Sequence, residues 1–159
     1  MKRTQKISVA ILLIIMLIIP IAGFAKCDTL HAATSKEARA LELTGEIVEE
    51  YHLTGWGLSK KMLKNELDHG LDYFGYDDTF TKKEIKYAVD HCGINWKSEA
   101  LYAITNIISV YKEYYDKTPT AADLCNDVAH LAFTKKEIKW ALKKSGYSSA
   151  EIKEALNNR

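Results

Sequence analysis

The side chains best suited to metal binding or nucleophilic attack are His52, His69, His91, His130, Cys92 and Cys125. A zinc site needs several of these to converge, most simply as two ligands four residues apart on one helix. No two histidines have that spacing, and the neighbours His91 and Cys92 would point about 100° apart on a helix. Cys92 with His91, or Cys125 with His130, supplies the types of a nucleophile and a base, but neither pair has a surrounding motif or a third orienting group. The acidic stretch containing Asp72, Asp77 and Asp78 also fails as a calcium loop. Counting back from Glu84 as the twelfth position puts Tyr73 at the first and Asp78 at the sixth, where an oxygen ligand and a glycine are required. No metal, no cofactor and no enzyme activity are therefore expected.

The chemistry left is noncovalent and aromatic. Tyr73, Phe74 and Tyr76 cluster in a segment flanked and interrupted by Gly70 and Gly75, and Trp56 stands between Gly55 and Gly57. Tyr and Trp bury large areas with few rotors, which suits them to anchoring a protein partner. These four residues are the candidate partner-binding set; the competing reading is that their rings fold back into the core.

The first 32 residues read as an export segment. Ile7 to Ala25 carries no charged side chain and follows Lys2, Arg3 and Lys6. Such a run can be a signal peptide or, being able to span about 30 Å of hydrocarbon, an uncleaved anchor. Gly23-Phe24-Ala25 offers small residues for cleavage after Ala25, and Leu30-His31-Ala32 a second site after Ala32. Cys27 is a candidate for lipid attachment, although Lys26 stands where a lipoprotein signal usually has a small residue. The rest of the chain is expected outside the cytosol, touching membrane or cell wall through this segment. In an oxidising compartment Cys92 and Cys125 could form a disulfide, or both could be buried thiols.

From Ala33 onward there are 18 basic and 20 acidic side chains, a net charge of −2, which does not favour nucleic acid. The distribution is uneven. Ala33 to Phe80 carries −5, whereas Thr134 to Arg159 carries +4, concentrated in Lys135, Lys136, Lys139, Lys143 and Lys144. That basic face could meet anionic lipid or wall polymer, or be an ordinary solvated helix face.

A repeat organises these residues. Phe80-Thr81-Lys82-Lys83-Glu84-Ile85-Lys86-Tyr87-Ala88-Val89 returns as Phe133-Thr134-Lys135-Lys136-Glu137-Ile138-Lys139-Trp140-Ala141-Leu142, 53 residues later, and Gly93 matches Gly146. Ser59, Leu63, Asn65 and Leu67 pair with Thr120, Leu124, Asn126 and Val128 once Gly70 to Asp78 is treated as an insertion. Thr81, Thr120, Thr134 and Ser148, each with an acid three residues on, have the form of helix-starting capping boxes. The spacing predicts helices near 35–53, 59–69, 81–92, 96–115, 120–131, 134–145 and 148–157, with no strand. An all-α fold is expected: an N-terminal signal or anchor with a short linker (1–32), a first three-helix unit (33–94) and a second, degenerate one (95–159). The long helix 96–115 is expected to serve both cores, with Trp96, Ala100, Ile104, Ile107, Ile108 and Tyr111 on one buried stripe that Leu101, Val110 and Tyr115 widen.

Ser59-x3-Leu63-x3-Leu67, then Phe80-Thr81-x-x-Glu84-x-x-Tyr87-Ala88-Val89-Asp90, then Asn95-Trp96-x3-Ala100-Leu101, resembles the helix-turn-helix repeat of the Ltp-like host cell surface-exposed lipoproteins. The resemblance implies a surface-tethered helical protein that, in phage-encoded members, blocks DNA injection by a related phage through binding its injection machinery. Superinfection exclusion is thus the sharpest functional expectation. The alternative is an envelope structural module that binds wall polymer or anionic lipid through the basic C-terminal helices.

Overall fold

The computed structural model describes residues 33–157. The candidate leader and Cys27 lie outside the described residues, and among those described no helix is long and apolar enough to cross a membrane. The fold is all-α. Its helices are α1 (Ser35–Leu53), α2 (Lys60–Asn65), α3 (Lys82–His91), α4 (Trp96–Tyr115), α5 (Ala121–Asp127), α6 (Lys135–Lys144) and α7 (Ser149–Asn157). A π turn, Glu66–Gly70, and a 3-10 turn, Leu71–Phe74, continue α2, and a second 3-10 turn, Ala129–Leu131, follows α5.

Local chemistry starts these helices where it should. Thr34, Thr81, Thr120 and Thr134 each accept an amide hydrogen bond from the residue three positions on, whose carboxylate accepts the threonine's own N–H in return. Each pair satisfies two amide donors that the first helical turn leaves unpaired. In α6 the two bonds are Glu137 N–H to Thr134 Oγ1 at 3.3 Å and Thr134 N–H to Glu137 Oε2 at 2.7 Å. Thr134→Ala should therefore lower unfolding stability by about 1 kcal/mol. Urea denaturation followed by far-ultraviolet circular dichroism checks this, and Thr134→Ser should restore most of the loss.

Two apolar clusters form. In the first, α1 packs chiefly on α3, and Ala40, Leu43, Ile47, Leu63, Leu67, Ile85 and Val89 are buried together. In the second, α4 packs chiefly on α6, α7 closes against α5 and α6, and Ala100, Ile104, Leu124, Val128, Ile138, Leu142 and Ile152 are buried. The first cluster is built from a long helix, a short capped helix and a ten-residue helix; the second has helices of those kinds in the same chain order and adds α7.

Three expectations need correction. The buried stripe of α4 serves the second cluster, and only Trp96, at its first turn, packs on the first. Val110 and Tyr115 do not widen that stripe, because the second core ends at Ile107 and Tyr111; they are 47% and 64% exposed. Finally, Cys92 and Cys125 form no disulfide. Cys92 ends α3 on the first cluster, where its Sγ donates to the Val89 carbonyl at 3.2 Å, while Cys125 is buried in the second.

Candidate functional site

The segment joining α1 to α2 carries Trp56, and α4 holds it in place. Glu99, Tyr102 and Asn106 lie three and four residues apart and so share one face of that helix. The Tyr102 hydroxyl donates to the His52 carbonyl at 2.9 Å, and Asn106 Nδ2 donates to the Gly55 carbonyl at 2.6 Å. Glu99, only 8% exposed, accepts through Oε2 from the Leu58 amide at 3.0 Å and faces His52 Nε2 at 2.9 Å. Gly57 permits this closeness: a Cβ there would sit 2.1 Å from the Glu99 carbonyl oxygen. The Trp56 amide in turn donates to the Tyr51 carbonyl at 2.9 Å.

This clamp contains a titratable link. The hydrogen bond to Glu99 holds the His52 imidazole above its ordinary value of 6.5, against the opposing effect of partial burial. A base whose folded pKa is raised contributes stability that is complete below its unfolded pKa and lost as pH rises through its folded value. Thermal stability should therefore decline on going from pH 6.5 to more alkaline conditions, and His52→Gln should flatten that decline. Thermal scans of both proteins across the range check it; identical slopes would exclude His52 as the source.

So held, Trp56 is 37% exposed and stands between two grooves. The larger, of about 780 Å³, is lined by Trp56, Asn106, Ile107, Val110, Tyr111, Tyr115, Lys117, Asp127 and His130 among others. The Trp56 and His130 rings meet edge to face at 5.1 Å, and Lys117 Nζ lies 5.1 Å and 5.7 Å from the ring centres of Tyr111 and Tyr115. The Tyr111 phenol is held above its ordinary value chiefly by interaction with the Asp127 carboxylate, whose Oδ2 is buried without a hydrogen-bond partner. The smaller groove, of about 390 Å³, is lined by Glu50, Tyr51, Thr54, Trp56, Glu66, Tyr73 and Phe74. Thr54 and Trp56 line both, so the grooves meet at the tryptophan.

Of the aromatic residues singled out from sequence, Trp56, Tyr73 and Phe74 come together here, with Tyr73 85% exposed and Phe74 partly packed on the first core. Tyr76 does not join them. It packs on that core, its hydroxyl bonds to Glu46, and the Arg39 guanidinium lies 5.6 Å over its ring. Sequence reasoning missed Val110, Tyr111, Tyr115 and Lys117, because the first three continue the apolar stripe of α4 and look like core. The overlooked signal is length: α4 runs two turns past Ile107, which faces the last part of the second core.

The five lysines of the basic face are all exposed on α6. Lys135 Nζ donates to the Leu156 carbonyl at 3.0 Å, and Lys144 Nζ lies 5.7 Å over the Trp140 ring. Lys136, Lys139 and Lys143 have no ion pair among the described residues. On α3, by contrast, Lys86 pairs with Asp90, and Lys83 lies 3.6 Å from Glu37.

Neither groove is lined by serine or cysteine, and burial pushes the half-buried Cys92 thiol up, away from the thiolate form a nucleophile needs. What the two grooves present is aromatic faces, a few hydrogen-bonding groups and charged side chains. Compared with known proteins, the chain matches no family model, no curated protein and no solved structure.

Proposed function

We propose that this chain is a non-enzymatic, exported helical module that grips another protein at the cell surface through the grooves around Trp56. The observation that carries this reading is that two grooves, one lined by Tyr73 and the other by Tyr115, meet at Trp56, which is held on a clamped loop. Exposed aromatics at a soluble helix bundle's surface need a reason, since contiguous apolar patches mark interaction sites more often than chance. Rigid seating also limits the ordering cost of binding, which favours affinity.

The sharpest form of the reading is phage superinfection exclusion, with the partner a component of the phage injection machinery and the first 32 residues supplying export and attachment. It is supported by the repeat's resemblance to the Ltp-like lipoproteins and by the leader's composition. Expressing the chain in a phage-sensitive host tests it directly. Reduced plating with reduced phage DNA entry is expected; unchanged plating and unchanged DNA entry would remove the exclusion claim.

A second reading is favoured by the contrast between α6 and α3. The unneutralised Lys136, Lys139 and Lys143 suit an anionic wall polymer, whereas Lys83 and Lys86 of α3 are engaged by acids. Sedimentation with purified cell wall separates the two readings. Retention of a Lys135→Glu, Lys136→Glu, Lys139→Glu variant equal to that of the original would reject wall binding through this face.

A further inference from the structure

The smaller groove differs from its neighbour in charge. Its wall carries two carboxylates, Glu50 and Glu66, four aromatic rings, Tyr51, Trp56, Tyr73 and Phe74, and no basic side chain. The faces of such rings attract cations, and the attraction grows when the cation also meets an anion. Elsewhere this chain fills that role itself: Lys117 covers Tyr111 and Tyr115 in the larger groove, and Arg39 covers Tyr76. Among the described residues no cation covers the rings of the smaller groove in this way.

We infer that the smaller groove is a subsite for a cationic side chain, arginine or lysine, carried by a basic segment of the partner protein. The inference rests on the docking role of the Trp56 surface and adds the chemistry of what is docked. Three details of the fold support it. The Tyr51 hydroxyl donates to Glu66 Oε1 at 2.7 Å, which fixes that carboxylate beside the rings. Glu66 opens a π turn, an arrangement found mostly as a local bulge and frequently at functional sites. Gly70 closes the same turn, and a Cβ there would lie 2.0 Å from Glu66 Oε2, so only glycine leaves the carboxylate where it is. The segment that carries the subsite, Ala33 to Phe80, has a net charge of −5, which steers a basic segment toward it.

The test uses the purified full chain and three short synthetic peptides that alternate alanine with arginine, lysine or glutamate, with binding read by calorimetry and tryptophan fluorescence. The arginine and lysine peptides should bind and the glutamate peptide should not. Glu50→Gln with Glu66→Gln should weaken binding about fivefold to tenfold. Asp68→Asn with Asp77→Asn, which removes the same charge from residues lining neither groove, should cost less than about twofold, the loss of long-range steering alone. Gly70→Ala should weaken it in the same direction without altering charge, and circular dichroism shows whether each variant is folded. Equal affinity for basic and acidic peptides, or equal losses from the two double variants, would overturn the subsite. If phage exclusion is lost in Trp56→Ala yet kept in Glu50→Gln, Glu66→Gln, the docking surface stands and the cation subsite fails. If Trp56→Ala keeps exclusion, the docking reading itself fails.

Discussion

Gly57→Ala should destabilise the fold by about 2–3 kcal/mol and abolish partner binding with it. The added methyl would meet the Glu99 carbonyl oxygen at 2.1 Å, the carbonyl carbon at 2.9 Å and the Ala103 Cβ at 3.3 Å. Two of these atoms are backbone inside a helix, so no rotamer change relieves the clash. Either the loop lifts from α4 or the helix deforms. Lifting the loop breaks the Leu58 amide bond to Glu99 and the Asn106 bond to Gly55, and it carries Trp56 away from His130. Urea unfolding gives the stability change, and Trp56 emission should shift toward that of a solvated indole. A variant as stable as the original, with unchanged emission, would show that the approach of loop to helix is looser than described.

Glu99→Leu is expected to cost slightly more, about 2–4 kcal/mol. The carboxylate is nearly buried and receives both the Leu58 amide and His52. Leucine fills similar volume but leaves the Leu58 N–H with no acceptor, and a buried unpaired donor incurs its full desolvation penalty. Glu99→Gln separates the two contributions. It keeps a carbonyl acceptor for Leu58 and removes the charge that holds the His52 proton, so it should lose less stability while abolishing the pH dependence assigned to His52. Equal costs for leucine and glutamine would mean that the charge, and not the amide bond, carries the interaction.

These two residues also show where sequence reading stops. The helices were legible because their signals are local: each threonine with its acid three residues on marks a start, and Gly93 and Gly146 take the positive φ expected of residues after a helix. The all-α class and helix positions follow from such signals to within a few residues. The clamp on Trp56 was not legible. Glu99 meets Leu58 and His52 across 41 and 47 residues, and nothing in local spacing distinguishes a glutamate that folds inward from one that faces water. Gly57 was visible only as a glycine beside a tryptophan, since its role depends on the backbone that approaches it.

The same limit explains the groove. Ile107, Val110, Tyr111 and Tyr115 have one helical periodicity, so sequence alone assigns them one environment. Their environment changes along the helix because the second core stops, and the exposed continuation lines the larger groove. The Cys92–Cys125 pair failed for a related reason. An oxidising compartment left a bridge or two buried thiols open, and the fold packs Cys92 on one core and Cys125 in the other. Tyr76 was grouped with Tyr73 and Phe74 by proximity in sequence, yet the αL turn at Gly75 sends the chain onward to Glu46 and Arg39.

The decisive measurement compares phage DNA entry into cells that display equal surface amounts of the original chain, a Trp56→Ala, Tyr115→Ala variant and a Lys136→Glu, Lys139→Glu, Lys143→Glu variant. Truncating two central aromatic anchors typically removes several kcal/mol of binding, about 2 or more for each, so the aromatic variant should admit phage DNA as freely as cells without the gene, while the lysine variant still excludes it. Full exclusion by the aromatic variant would contradict a docking role for the Trp56 surface.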